Sequence, residues 1–193
     1  MLYPTDTVYA IGCDLNSKSA VQRVRQIKQL SNDKPLTFLC PSLSNIANYA
    51  YVTDSAYRIM RRLIPGPYTF LLSATKLVPR LVMSPKRKTT GIRVPNSAIC
   101  QALLNGLNNP IVSTSAHVIE DPEMGKNSSV HFTGTTQAEL FDHFDKLVDV
   151  IVEDGLELHH QVSTILDLSE EPPMLVRRGL GWEAVETWVA EVS

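Results

Sequence analysis

Cysteine is scarce in this chain: Cys13, Cys40 and Cys100 are odd in number, far apart and each set among apolar neighbours. That distribution excludes a disulfide framework, offers no zinc-ligand spacing, and predicts reduced thiols in a core. Long apolar runs are missing as well, which excludes a membrane-spanning helix. The N-terminus shows neither a basic leader nor an apolar signal core, so the expected location is the cytoplasm, with no membrane partner. There is no internal repeat and no low-complexity tract. The most informative absence is of negative charge, since no acidic residue lies between Asp54 and Glu120. That stretch holds Arg58, Arg61, Arg62, Lys76, Arg80, Lys86, Arg87, Lys88 and Arg93. Residues 1–54 sum to +1, the middle to +9 and residues 120–193 to -12, so the net charge of -2 hides a strongly one-sided distribution. Such a segment raises the local potential and draws anions toward it.

With 193 residues and 44% hydrophobic content, the chain can bury a sizeable core, and one domain over 1–193 is expected. Apolar residues recur at helical spacing from Ser17 to Leu30, with Arg23, Arg25 and Lys28 on the polar face, and again over 53–64, where Pro65-Gly66-Pro67 ends the pattern. Helices are also predicted over Ser97–Leu107 and Thr136–Asp145. Strands are predicted at Leu36–Cys40, Tyr68–Leu72, Ile92–Val94, Ile111–Thr114, Val148–Val152, Thr164–Leu168 and Met174–Val176. Residues 120–136 read as a surface loop. Alternating helices and strands, with closely spaced runs near the end, predict an α/β domain around a mixed sheet.

Small hydroxyl residues, prolines and cations gather at the predicted strand ends. They are Pro4-Thr5-Asp6-Thr7, Lys34-Pro35-Leu36, Gly66-Pro67-Tyr68-Thr69, Gly91-Ile92-Arg93-Val94-Pro95, Ser113-Thr114-Ser115-Ala116 and Ser163-Thr164. Strand ends of an open α/β sheet form the crevice where ligands sit. Hydroxyls and backbone amides there can hold phosphate oxygens while Lys and Arg neutralise them. Any one of these motifs alone is what a turn or a helix cap uses. Their order carries the signal.

The order of Pro-Thr-Asp-Thr-Val-Tyr-Ala-Ile-Gly at 4–12, Lys28 with Asp33-Lys34-Pro35-Leu36, Gly66-Pro67-Tyr68-Thr69, Ile92-Arg93-Val94-Pro95, Ser113-Thr114-Ser115-Ala116, Ser163-Thr164-Ile165-Leu166-Asp167 and Arg177-Arg178-Gly179 resembles the YrdC-like threonylcarbamoyl-AMP synthase family from residue 3 to about 180. The resemblance implies a twisted open mixed sheet with helices on both faces and a concave basic cavity. It implies an enzyme that joins threonine, bicarbonate and ATP into threonylcarbamoyl-adenylate and pyrophosphate for tRNA modification. By the same resemblance Lys28 and Arg93 are the catalytic candidates and Thr5 and Thr7 line the threonine pocket. Ser115, Ser163 and Arg177 hold ATP with Lys28 and Arg93, and Lys34, Thr69, Thr114 and His117 complete the substrate-binding set. Magnesium would arrive with the nucleotide.

Three departures from the family pattern stand out. Leu30 occupies the place of an arginine two residues after the lysine, and His117 that of an asparagine after Ser115-Ala116. Leucine cannot donate to a phosphate, and histidine lacks the paired donor and acceptor of an amide. Loss of one charge-assisted contact removes roughly 1.5–3 kcal/mol, about tenfold or more. Leu30, Pro79-Arg80 and Lys86-Arg87-Lys88-Thr89-Thr90-Gly91 resemble the YciO-like branch of the family. The third departure is at the start, where only Met1-Leu2-Tyr3 precede the Pro-Thr motif. Either the chain is a truncated reading of a longer gene or it folds with one element missing, and the second case would expose a strand edge or an apolar groove and favour association, with a homodimer as the candidate assembly.

A second reading, of a different class, is a catalytically weak protein that binds double-stranded RNA or tRNA through Arg58, Arg61, Arg62, Arg80, Lys86, Arg87 and Lys88. His159 and His160 read as surface histidines, since neighbours on a strand face opposite sides and no third ligand is evident. Trp182 and Trp188, with Val185 and Val189, read as a terminal amphipathic segment packing on the body.

Overall fold

Hydroxyl caps set the starts of four helices. Ser17, Thr53, Ser97 and Thr136 each accept a hydrogen bond from the backbone N–H three residues on, a device worth about 1 kcal/mol apiece. The computed structural model describes residues 1–31, 33–116, 136–155, 161–187 and 190–191. In chain order the helices are α1 (Lys18–Ile27), α2 (Leu43–Tyr49), α3 (Asp54–Leu63), α4 (Ala98–Leu107) and α5 (Gln137–Phe144). At α5 a Thr136–Glu139 capping box satisfies two N-terminal groups at once. Ten strands accompany them: β1 (Leu2–Tyr3), β2 (Ala10–Asp14), β3 (Thr37–Leu39), β4 (Ala50–Tyr51), β5 (Tyr68–Ala74), β6 (Thr89–Arg93), β7 (Ile111–Ser115), β8 (Thr164–Asp167), β9 (Met174–Arg177) and β10 (Ala190–Glu191).

The strands form one open, twisted mixed sheet in the order β1-β2-β7-β3-β6-β5-β8-β9-β10, with β4 paired to β5 off that path. Pairing is parallel at β3–β6, β5–β8 and β9–β10 and antiparallel elsewhere. Register decides which residues share a face, because side chains alternate along each strand. Phe38, Phe70, Ile92 and Leu166 stand opposite one another across β3, β6, β5 and β8. Their face joins Val21 of α1, Ile46 of α2 and Ala56, Met60 and Leu63 of α3 in the main core. Burying a side chain such as Phe70, which is fully enclosed, contributes about 2–3 kcal/mol. On the opposite face Ala10, Leu39 and Ile111 pack against Cys100 and Leu104 of α4, so helices cover both sides. Beyond α4 that second face carries Thr37, Gly91, Ser113, Thr69 and Arg93, small or polar groups that leave a hollow rather than a core.

Several local expectations are corrected by the structure. The run 148–152 makes a single parallel bridge from Ile151 to Leu2 instead of a strand, because β1 has only two residues to pair with. β1, β2, α2, β4 and β10 were not legible as elements, being short or lacking a clean period. Arg25 and Lys28, assigned by periodicity to a polar helix face, are both buried, and Arg25 is tied to the segment after α1 through the Lys34 carbonyl. Among the described residues no helix is long and apolar enough to cross a membrane, and no group of three His, Cys, Asp or Glu could hold a metal ion. His117, His159, His160, Trp188, Val189 and the loop over 120–135 lie outside the described residues. The nearer part of the terminal segment behaves as expected, with Val185 fully buried and Trp182 packed on the core in a short 3-10 turn.

Candidate functional site

The hollow on the second face is a cleft of about 370 Å³. Among the described residues four cations line it, Lys28, Lys34, Arg93 and Arg177, and no carboxylate does. Thr5, Thr7, Thr69, Thr114, Ser115 and Ser163 supply hydroxyls, so every described residue from the catalytic and substrate-binding sets meets in this one place. Those groups come from opposite ends of the chain. Antiparallel β2–β7 pairing and parallel β5–β8 pairing bring Ser113–Ser115 beside Ala10 and Ser163 beside Thr69.

Arg93 sits at the end of β6, almost wholly buried at 6% exposure. Its guanidinium donates to the Thr7 hydroxyl at 2.8 Å, to the Gly66 carbonyl at 3.4 Å and to Asp6 Oδ1 at 2.5 Å. Burial pulls the Arg93 pKa down and the neighbouring Asp6 carboxylate pushes it back up. The other Asp6 oxygen accepts from the Asn96 N–H, so one carboxylate fixes both the arginine and the turn after β6. Arg177 of β9 donates to the Ser163 carbonyl through Nε and Nη2 and to the Ser163 hydroxyl at 3.0 Å. Burial, then repulsion from Arg93, brings the Arg177 pKa down to about 10. Lys28 is brought down to about 8, by burial first and by Lys34 second. Two cationic poles result, Lys28 with Lys34 and Arg93 with Arg177.

The hydroxyl pairs differ in what they can offer a ligand. Thr5 donates to the Val8 carbonyl and accepts from the Thr7 N–H, so in the 3.0 Å Thr5–Thr7 contact the proton comes from Thr7. Thr7 also accepts from Arg93, which leaves that pair one lone pair and no proton. Thr69 and Ser163 lie 2.9 Å apart, and Ser163 accepts from Arg177. One of their two protons is used between them and the other is available to an oxygen acceptor. The cleft can therefore bind anions at its cations and at Thr69–Ser163, and accept one hydrogen bond at Thr7.

A close backbone approach at Gly179 builds the Arg177–Ser163 corner. A Cβ there would stand 2.4 Å from the Val162 carbonyl and 2.5 Å from the Ser163 backbone, so only glycine lets the strand after β9 come this near. Thr164 ties the same corner by donating to the Leu180 carbonyl and accepting from the Gly179 N–H.

Sequence reasoning missed Asp6, Arg25 and Gly179 as parts of this machinery. Asp6 and Gly179 lie inside quoted motifs, where a carboxylate between two threonines and a glycine after paired arginines were the available signals. Nothing in the local sequence marked Arg25. Leu30 lines the cleft, so the missing arginine leaves an apolar patch within the pocket wall. The seven RNA candidates divide between locations. Arg58, Arg61 and Arg62 are exposed on α3, which covers the main-core face and not the face that bears the cleft. Arg87 pairs with the buried Asp167 at 2.7 Å and reaches Ser169. Arg80, Lys86 and Lys88 are exposed in the β5–β6 connection.

Fold and cleft together define an α/β protein with a polyanion-sized cationic pocket. Residues 1–179 match the Sua5_yciO_yrdC family model, described as "Telomere recombination". The chain belongs to this family. An uncharacterized protein YciO of Escherichia coli is 39% identical over 181 residues, which covers 94% of this chain and 83% of that protein. Its crystal structure superposes with a TM-score of 0.84 at 38% identity over 97% of this chain and 85% of that one. A threonylcarbamoyl-AMP synthase of Vibrio vulnificus is 28% identical over 180 residues, 92% of this chain and 90% of that protein. The crystal structure of Pyrococcus abyssi Sua5 complexed with L-threonine gives a TM-score of 0.83 at 28% identity, covering 99% of this chain but 54% of the longer Sua5.

Proposed function

We propose that this chain is a nucleotidyltransferase of the threonylcarbamoyl-AMP synthase type, taking ATP, threonine and bicarbonate in the cleft and releasing threonylcarbamoyl-adenylate and pyrophosphate. The observation that carries the reading is the meeting of Lys28, Lys34, Arg93 and Arg177 with eight hydroxyl residues in one cleft that has no carboxylate among its described lining residues. Relatives named as synthases at 28% identity, one of them solved with L-threonine, support the reaction class.

The chemistry suits these residues. Threonine's neutral amine condenses with bicarbonate, losing water, to give a carbamate whose oxygen is already an anionic nucleophile. That oxygen attacks the α-phosphorus, the bond to the bridging oxygen breaks, and pyrophosphate leaves with the electron pair. No strong base is required, so catalysis consists of positioning and neutralising charge. The two cationic poles supply the neutralisation. Thr69 or Ser163 gives its one available proton to a phosphate or carboxylate oxygen, and the lone pair of Thr7 accepts from an N–H or O–H of the amino acid. Magnesium would enter as part of the nucleotide substrate.

Pyrophosphate release measured with each cosubstrate omitted in turn tests the reading. Release that requires threonine and bicarbonate supports it, and release indifferent to both removes it. Binding of double-stranded RNA would rest on Arg80, Lys86 and Lys88 and weaken steeply with salt, unlike a nucleotide bound in the cleft.

A further inference from the structure

We propose that Arg25 is a positioning residue, whose buried guanidinium holds Ser31 and the segment 33–36, and with it Lys34, beside Lys28 at the lysine pole of the cleft. Arg25 is 4% exposed, an unusual place for an arginine. Its Nη1 donates to the Lys34 carbonyl at 2.9 Å and to the Leu81 carbonyl at 3.0 Å, and its Nη2 donates to the Ser31 carbonyl. One guanidinium thus joins three pieces of chain: the end of α1, the segment bearing Lys34, and the β5–β6 connection.

These bonds are more than an accident of packing. Past α1, Gln29 turns left-handed at φ 48°, and the Leu30 N–H closes on the Arg25 carbonyl at 2.9 Å. The chain then reverses, with the Lys34 N–H on the Ser31 carbonyl at 3.1 Å and the Leu36 N–H on the Val82 carbonyl at 2.9 Å. Between those two backbone bonds, Arg25 is what holds the carbonyls of Ser31 and Lys34. Lysines 28 and 34 repel each other, so a segment bearing one would swing away from the other unless fixed. A planar fork with several donors can hold several carbonyls together, which a lysine ammonium cannot do in the same geometry. Arg25 does not line the cleft, so its effect on a ligand is exerted through Lys34 and Lys28. The importance of this pole for a nucleotide rests on the function proposed above, but the locking itself does not.

The test compares the native chain with Arg25→Met and Arg25→Lys. Amide hydrogen exchange and NMR titration of the lysines are measured without ligand, followed by ATP binding. In Arg25→Met we expect the amides of Ser31, Asp33, Lys34 and Leu36 to exchange at least tenfold faster while those of β5 and β6 keep their protection. The Lys28 pKa should rise from about 8 toward the ordinary lysine value as Lys34 recedes and water enters. Arg25→Lys should fall between, and ATP affinity should drop about tenfold, the size of one charge-assisted contact. A folded Arg25→Met with native exchange at Ser31, Asp33, Lys34 and Leu36 and native Lys28 titration overturns the proposal. So does failure of both variants to fold, which would make Arg25 part of the core instead. If the native chain binds no ATP, the proposed function fails while exchange and titration still decide the role of Arg25.

Discussion

Lys28 offers the sharpest quantitative test of the cleft. Its pKa stands at about 8 instead of 10.5, so the folded protein carries the charged form at a cost of about 3 kcal/mol relative to the unfolded chain. The sign follows from the lowered value. The unfolded chain holds the proton up to 10.5 and the folded one releases it near 8, so stability rises with pH between those values. A bound anion reverses this, because it supplies the counter-charge that burial and Lys34 deny. ATP binding should therefore be tightest below pH 8 and fall by up to about fivefold from pH 8 to 9, with about three-quarters of a proton taken up near pH 8.5. Phosphate ionisation is nearly complete there and adds little to the slope. Titration calorimetry at pH 7, 8 and 9, in buffers of different ionisation enthalpy, counts that proton directly. Arg177, at about 10, lies above the window. In Lys28→Met the uptake should vanish, affinity should be low and flat across the range, and the fold should be more stable at pH 7 by up to about 3 kcal/mol. Native binding without proton uptake, or uptake that persists in Lys28→Met, refutes the reasoning.

Other substitutions probe separate parts of the site. Leu30→Arg with His117→Asn restores the two donors of the family pattern, and pyrophosphate release should increase about tenfold or more. Gly179→Ala drives a methyl into the Val162 and Ser163 backbone, so a melting curve should show a loss of several kcal/mol and binding at Arg177–Ser163 should fail together with it. Asp6→Ala strands the buried Arg93 charge, and chemical denaturation should report about 3–5 kcal/mol lost. Thr7→Val removes both the lone pair offered to a ligand and the acceptor for Arg93, whereas Thr7→Ser keeps them. Threonine should bind nearly normally to the serine variant and at least tenfold more weakly to the valine variant.

The parts of the fold legible in the sequence are those with strong local signals. Val21 and Val24 sit at the inner positions that helical spacing assigns them, and the helix starts predicted at Ser17 and Thr136 fall on the observed caps. β1 and β4 have two residues each, too few for any period to show, and β2 begins inside a motif that drew attention for its chemistry. The site was legible as a set of residues because hydroxyl and cationic motifs mark strand ends. Its internal wiring was not. The Arg93–Asp6 pair spans 87 positions and the Arg25–Leu81 bond spans 56, and no local pattern encodes partners so distant. Burial of Lys28 was hidden as well, since helical spacing places it on a polar face. The basic stretch from Arg58 to Arg93 reads as one patch in the sequence. The sheet divides it, because α3 covers one face while Arg93 projects from the other.

Labelled bicarbonate tests the central claim most directly. When the protein is given ¹³C-bicarbonate, threonine and ATP, mass spectrometry of the quenched mixture should find an adenylate carrying the label together with threonine, in step with pyrophosphate, and Lys28→Met should nearly abolish it. Native protein that releases pyrophosphate or AMP without any labelled adenylate, or yields no product while binding ATP and threonine normally, would contradict the account.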